Sequence, residues 1–239
     1  MKLRVVVPIV GDIYNNAIYR EVSAYASEQT VVDVVSLDVG ASSIESAYDE
    51  VLVGPDTLHK IQAAAEDGCD ACFVSCFADP AVHAARELVE IPVMGGFTPA
   101  ISHAIALGER ISIITVLANV RPMLFRLARA AGVESRLASI RVIDTPVLEL
   151  EGHDELVEKL SDQGRLAVDD DGADVLVLGC TGMLGVAAAL QEELASSGPF
   201  VPVVDPTAAA VTWLEAEVRM GLRPSRRSYM PPPVKARNG

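Results

Sequence analysis

The sequence predicts an α/β protein built as two pseudo-symmetric lobes, and three observations predict it. Strand-like and helix-like runs alternate along the chain, the pattern of parallel βαβ units. Two stretches are built alike: Gly68-Cys69-Asp70-Ala71-Cys72-Phe73-Val74-Ser75-Cys76 and Gly172-Ala173-Asp174-Val175-Leu176-Val177-Leu178-Gly179-Cys180. In each an Asp opens a buried-strand pattern and a thiol follows six residues later, where strand should yield to loop. The two Asp residues are 104 positions apart, close to the length of one small α/β lobe. Each lobe is therefore expected to be flavodoxin-like, a mostly parallel sheet flanked by helices, with the active site in the cleft between the lobes.

The elements follow in order. Residues 3–9 form a near-continuous β-branched run, as in a strand buried on both faces. Gly11-Asp12 opens a helix to about Gln29, and residues 31–37 are a second strand. A loop and helix fill 41–68, a third strand 70–75, a helix 80–89 and a fourth strand 91–94. At Gly95-Gly96-Phe97-Thr98-Pro99 consecutive glycines and a proline suggest a crossing without regular structure. The scheme then repeats, with strands at 110–116, 140–144, 175–179 and 201–204 and helices at 121–131, 153–170 and 184–196. A last helix, 207–220, carries Trp213 and is expected to return to the first lobe. The resulting division is a first lobe 1–97, a second lobe 98–206, a returning helix 207–221 and a tail 222–239. The tail holds five Lys or Arg, no acid and four prolines, and reads as a strap or frayed end.

Composition narrows the function. Half of the 239 residues are apolar and only 5% aromatic, so Val, Ala, Leu and Ile must fill the core. Lys and Arg number 19 against 33 Asp and Glu, a formal charge of −14. That balance argues against nucleic acid or an anionic membrane as partner. No apolar run reaches the roughly 18 residues of a spanning helix, and the N-terminus runs straight into a strand rather than a signal peptide. A cytoplasmic protein with four free thiols, a small-molecule substrate and a homo-oligomeric assembly is expected.

Cys76 lies between a strand and the Phe77-Ala78-Asp79-Pro80 helix start, and Cys180 repeats the setting before Thr181-Gly182-Met183. Backbone N–H groups and a helix N-terminus beside each sulfur should lower its pKa. Free cysteines are commonly just buried, but burial gives no reason to put two at equivalent strand ends. Thiols facing each other across a cleft can take a proton from one face of a carbon and return one to the other. Thr115 and Thr181 should sit near the same cleft, placed to hold a carbonyl oxygen as it gains enolate charge, and Gly182 permits close approach. Cys69-x-x-Cys72 reads as packing, because Cys72 points into a strand core and the histidines are scattered; no metal site is expected. The Gly-x-Gly-x-x-Gly turn of a dinucleotide site is missing, and so is a phosphate-cradling loop.

The segments Ser-Cys-Phe-Ala-Asp-Pro at 75–80 and Gly-Cys-Thr-Gly-Met at 179–183 resemble the aspartate/glutamate racemase superfamily, and within it the hydantoin and allantoin racemases. The likeness extends through Ile91–Gly95, Ala106–Thr115 and Asp205-Pro206. It implies a cofactor-independent racemase in which Cys76 and Cys180 each act on one enantiomer of a carbon acid, in the first instance a 5-substituted hydantoin. It also implies substrate contacts at Pro8, Ile9, Phe77, Gly96, Phe97, Thr115, Val116, Thr181 and Gly182. The chain departs from the pattern at three places. A first loop usually Asn-Pro-Asn reads Val7-Pro8-Ile9, a Glu after the fourth strand is Thr98, and Thr-Thr becomes Thr115-Val116. The same superfamily includes amino-acid racemases, a maleate cis–trans isomerase and an arylmalonate decarboxylase, which stand as alternatives. A non-enzymatic small-ligand-binding protein on the same scaffold is a third reading.

Overall fold

The structure, a computed structural model, describes residues 1–150, 152–196 and 198–236. The first sheet comprises β1 (Lys2–Val10), β2 (Val31–Leu37), β3 (Ala71–Val74) and β4 (Val93–Met94), in the order β2-β1-β3-β4. The second comprises β5 (Ile111–Thr115), β6 (Leu137–Val142), β7 (Val175–Leu178) and β8 (Val203–Val204), in the matching order β6-β5-β7-β8. All pairings are parallel.

The repeated Asp has a structural purpose. Asp70 Oδ2 accepts the Lys2 N–H at 2.7 Å, and Asp174 accepts those of Arg110 and Glu109 at 2.8 and 3.0 Å. Each carboxylate thus ties the cysteine-bearing strand to the start of its central neighbour. The apolar runs that follow are buried on both faces, as Val175–Leu178 and Ala71–Val74 show throughout their length. Helices cover those faces: α1 (Asn15–Tyr25), α2 (Ala47–Glu66) and α3 (Val82–Leu88) in the first lobe, α5 (Arg121–Ala130), α6 (His153–Asp169) and α7 (Ala187–Ala195) in the second.

Two helices are exchanged. α4 (Phe97–Leu107) follows β4, yet its Phe97, Ala100, Ile101 and Ala104 pack with Ile111, Ile113 and Val177 of the second sheet. α8 (Pro206–Arg219) follows β8, yet its Ala210, Val211 and Leu214 pack with Leu3, Val5 and Phe73 of the first. The chain crosses between lobes at the irregular Gly95-Gly96, but regular structure resumes at Phe97, within the segment 95–99 expected to be irregular throughout. Pro99 is no obstacle, because in the first turn its missing N–H has no intrahelical partner to lose.

β1 (Lys2–Val10) extends the expected strand by one residue at each end. Val7-Pro8-Ile9 belongs to the strand, with an irregular register against β2 between Val7 and Val10 that accommodates the proline. The tail lies across α3, where Arg226 Nη1 donates to the carbonyls of Arg86 and Tyr229 at 3.0 and 2.9 Å and the Tyr229 ring meets His83 edge to face. Among the described residues no helix is long and apolar enough to cross a membrane.

Candidate active site

The carboxyl ends of β3 and β7 meet at a cavity of ≈ 720 Å³, mouth included, and both Cys76 and Cys180 line it. Each cysteine stands two residues past its strand, and both are half-buried. The first lobe adds Val7, Pro8, Ile9, Ser75 and Phe77 to the wall; the second adds Thr115, Val116, Thr181 and Gly182. Further apolar groups, among them Ile44, Met123, Leu124 and Leu184, complete it, and none of the lining residues is charged. The segment after β6 closes one side. Val147 N–H donates to Glu45 Oε1 at 2.7 Å, and the Tyr14 hydroxyl reaches Val147 O at 3.4 Å, so second-lobe chain is pinned to first-lobe side chains beside the cavity.

Two residues expected in the wall stand behind it. Phe97 is 2% exposed and packs edge to face on Phe77, ring centroids 5.5 Å apart. Gly96 donates its N–H to Cys76 O at 3.0 Å, and a Cβ on it would lie 3.2 Å from Phe77 Cα and 3.3 Å from Thr181 Cγ2. Gly96 thus lets the two cysteine loops approach each other. Cys69 is buried, and Cys72 is fully enclosed by Val6, Leu37, Val53 and their neighbours, away from the cavity. Thr115 lines the cavity, but its hydroxyl donates to Gly179 O at 3.2 Å and so braces the residue before Cys180.

Asp79 does not line the cavity but braces the Cys76 loop, a structural role that the sequence reading missed. Its Oδ1 accepts the Phe97 N–H at 2.9 Å and its Oδ2 the Thr98 hydroxyl at 3.4 Å, so it caps α4 from the Cys76 loop. Gly95 leaves room for it, since a Cβ there would fall 2.1 Å from Asp79 Oδ1. The one available signal was the Gly-Gly pair opposite an Asp-Pro turn, and spacing alone does not say that they meet.

The electrostatics reverse one expectation. Burial pushes the Cys76 thiol well above the ordinary thiol range; the Ala78 N–H works the other way, while Cys180, Asp79 and Glu50 add to the rise. Burial likewise pushes Cys180 up to about 11, against the pull of the Gly182 and Met183 N–H groups and with a contribution from Glu45. Gly182 N lies 3.3 Å from the Cys180 sulfur. The helix N-termini expected to lower both values are not close behind the thiols: α3 begins only at Val82, after Asp79 and Ala81 with φ of 52° and 61°, and α7 only at Ala187. Apolar walls and nearby carboxylates then prevail. Asp79 itself is raised to about 6, first by burial, with partial relief from the Phe97 N–H and Arg86.

Fold and site together define a two-lobed α/β protein with paired thiols in an apolar interlobe cleft. Comparison with known proteins gives that class a family. The Asp/Glu/Hydantoin racemase family model matches residues 5–214. A hydantoin racemase of Pseudomonas sp. (strain NS671) is 35% identical over 237 residues, 98% of this chain and 93% of its own length. The hydantoin racemase of Paenarthrobacter aurescens is 32% identical, with 98% and 99% covered. Among solved structures, allantoin racemase from Klebsiella pneumoniae superposes with a TM-score of 0.93 at 33% identity, covering 100% of this chain and 96% of that one. The chain belongs to the Asp/Glu/Hydantoin racemase family, and it is an isomerase of the racemase class.

Proposed function

We propose that this racemase inverts a neutral carbon acid, a 5-substituted hydantoin with an apolar substituent, using Cys76 and Cys180 as its two acid–base groups and no cofactor. The observation that carries the reading is the pair of equivalent thiols lining one uncharged cavity. An α-amino acid such as aspartate would bring carboxylates into a wall without a cation, where an unpaired buried charge is costly. A neutral ring avoids that cost, and Val7, Ile9 and Val116 suit an alkyl or aryl substituent better than the ureido group of allantoin.

In one direction the thiolate of one cysteine takes the C5 proton, and the C–H electron pair moves into a C4–C5 double bond as the C4 oxygen becomes an enolate. The other cysteine then delivers its proton to the opposite face of C5, and the electrons return to restore the carbonyl. Thr181 and neighbouring N–H groups hold the charged oxygen. The reading includes a cytoplasmic homo-oligomer.

The test is a panel of single-enantiomer hydantoins, allantoin, aspartate, glutamate and maleate in heavy water, followed by chiral chromatography and mass spectrometry. The expected result is inversion of the apolar hydantoins with one deuterium gained at the stereocentre. Inversion without deuterium uptake, or turnover confined to the amino acids, would contradict it.

A further inference from the structure

Ser75 occupies, before Cys76, the position that Gly179 occupies before Cys180. The backbone ladders establish the equivalence: Ser75 N–H donates to Val6 O at 2.8 Å and Gly179 N–H to Ile114 O at 2.7 Å. The second lobe has no space for a side chain there. A Cβ on Gly179 would lie 2.7 Å from Ile113 Cγ2 and 3.0 Å from both Ile114 O and Thr115 Cβ. The first lobe instead carries a hydroxyl. Ser75 is 6% exposed and lines the cavity, and its Oγ has no hydrogen-bond partner among the described residues. The hydroxyls of Tyr14 and Thr115 in the same wall each donate to a backbone carbonyl.

A buried hydroxyl without a partner destabilises the empty protein, whereas alanine in its place would not. Such a group in a native structure calls for an explanation. Here it stands in a mostly apolar wall, one residue from an acid–base thiol.

We propose that Ser75 is a substrate-binding residue that donates its hydroxyl hydrogen to the carbonyl oxygen next to the carbon addressed by Cys76. The hydantoin reading supplies the identity of that carbonyl; the unpartnered hydroxyl supplies the need for an acceptor. As C5 loses its proton the oxygen gains negative charge, and the hydrogen bond becomes charge-assisted and stronger. Its effect therefore falls on kcat more than on KM. Ser75 also gives the cavity a polarity that its twofold-related position lacks, so a bound ring is held in one orientation between two similar thiols.

Ser75→Ala tests this with three readouts on the full-length protein: thermal midpoint, racemisation of 5-benzylhydantoin, and calorimetric binding of 5-benzylidenehydantoin, which is planar at C5 as the enolate is. The expected variant has a midpoint equal to or above that of the parent, binds the planar probe at least tenfold more weakly, and loses roughly 10²-fold in kcat, the scale of one lost oxyanion donor. A markedly lowered midpoint would assign Ser75 a structural role and overturn the inference. Probe affinity within threefold of the parent would also overturn it, as would a parent protein that does not bind the probe. If the parent binds the probe through Ser75 but does not racemise 5-benzylhydantoin, the racemase reading fails and the inference stands.

Discussion

Neither thiol is a ready-made nucleophile. At neutral pH both Cys76 and Cys180 are protonated in the empty site, because the apolar wall withdraws water and Glu45, Glu50 and Asp79 lie nearby. Cys180 receives two N–H groups where Cys76 receives one, so Cys180 ionises first. The sign follows directly: with a thiol at about 11, the thiolate fraction at pH 7 is small and grows about tenfold per pH unit below that value. The expected kcat/KM for inversion therefore rises from pH 7 into the alkaline range. Iodoacetamide mapping should label Cys180 before Cys76, with Cys69 and Cys72 unlabelled in the folded protein. A kcat/KM that falls between pH 7 and 9 while the protein stays folded would contradict this. Slow labelling at neutral pH is what burial dictates, and so it does not favour a mere binding protein.

At the level of elements, the Cys76 loop and α4 are fastened by Asp79. Removing the cap in Asp79→Ala should cost about 1 kcal/mol, in the usual range for a lost helix cap, and should loosen the carbonyl–amide contact between Cys76 and Gly96. Asp79→Asn keeps an acceptor oxygen and removes the titration. Because the Asp79 value is raised to about 6 in the folded chain, its contribution to stability is fully present below about pH 4 and is lost as pH rises through 6. Urea denaturation should accordingly show the stability of Asp79→Asn gaining on the parent between pH 4 and 7. A pH-independent gap would show that Asp79 is not buried as a titrating cap.

This element also marks where the sequence stops being legible. The strands and both cysteines were readable because the Asp-to-Cys repeat carries a local rule, a carboxylate at the strand start and a thiol at its end. α4 was not, because Gly95-Gly96 and Pro99 signal a loop. The glycines answer instead to close neighbours, Asp79 and Thr181, that are remote in sequence. The direction of the thiol shifts was missed for the same reason: local sequence shows the N–H groups that lower a pKa, while the wall that raises it comes from the other lobe.

On the scale of the whole molecule, the exchange of α4 and α8 locks the two sheets into one unit. Each lobe completes its core with a helix that follows the other lobe's sheet. That arrangement sets the carboxyl ends of β3 and β7, each followed by a cysteine, against a common cavity. Ser75 opposite Gly179, and Phe77 opposite Thr181, break the symmetry of the cavity wall, and in the proposed function that difference orients the substrate. The central claim is that both lobes contribute an acid–base group to every turnover. The most direct test is Cys76→Ser and Cys180→Ser, each incubated with either enantiomer of 5-benzylhydantoin in heavy water and followed by proton NMR at C5. Racemisation should fall by about 10²–10⁴-fold in each variant, while each still exchanges the C5 proton of one enantiomer, a different one in each case. Racemisation by either variant within about tenfold of the parent would contradict the two-thiol account, since a lost general acid or base costs more than that.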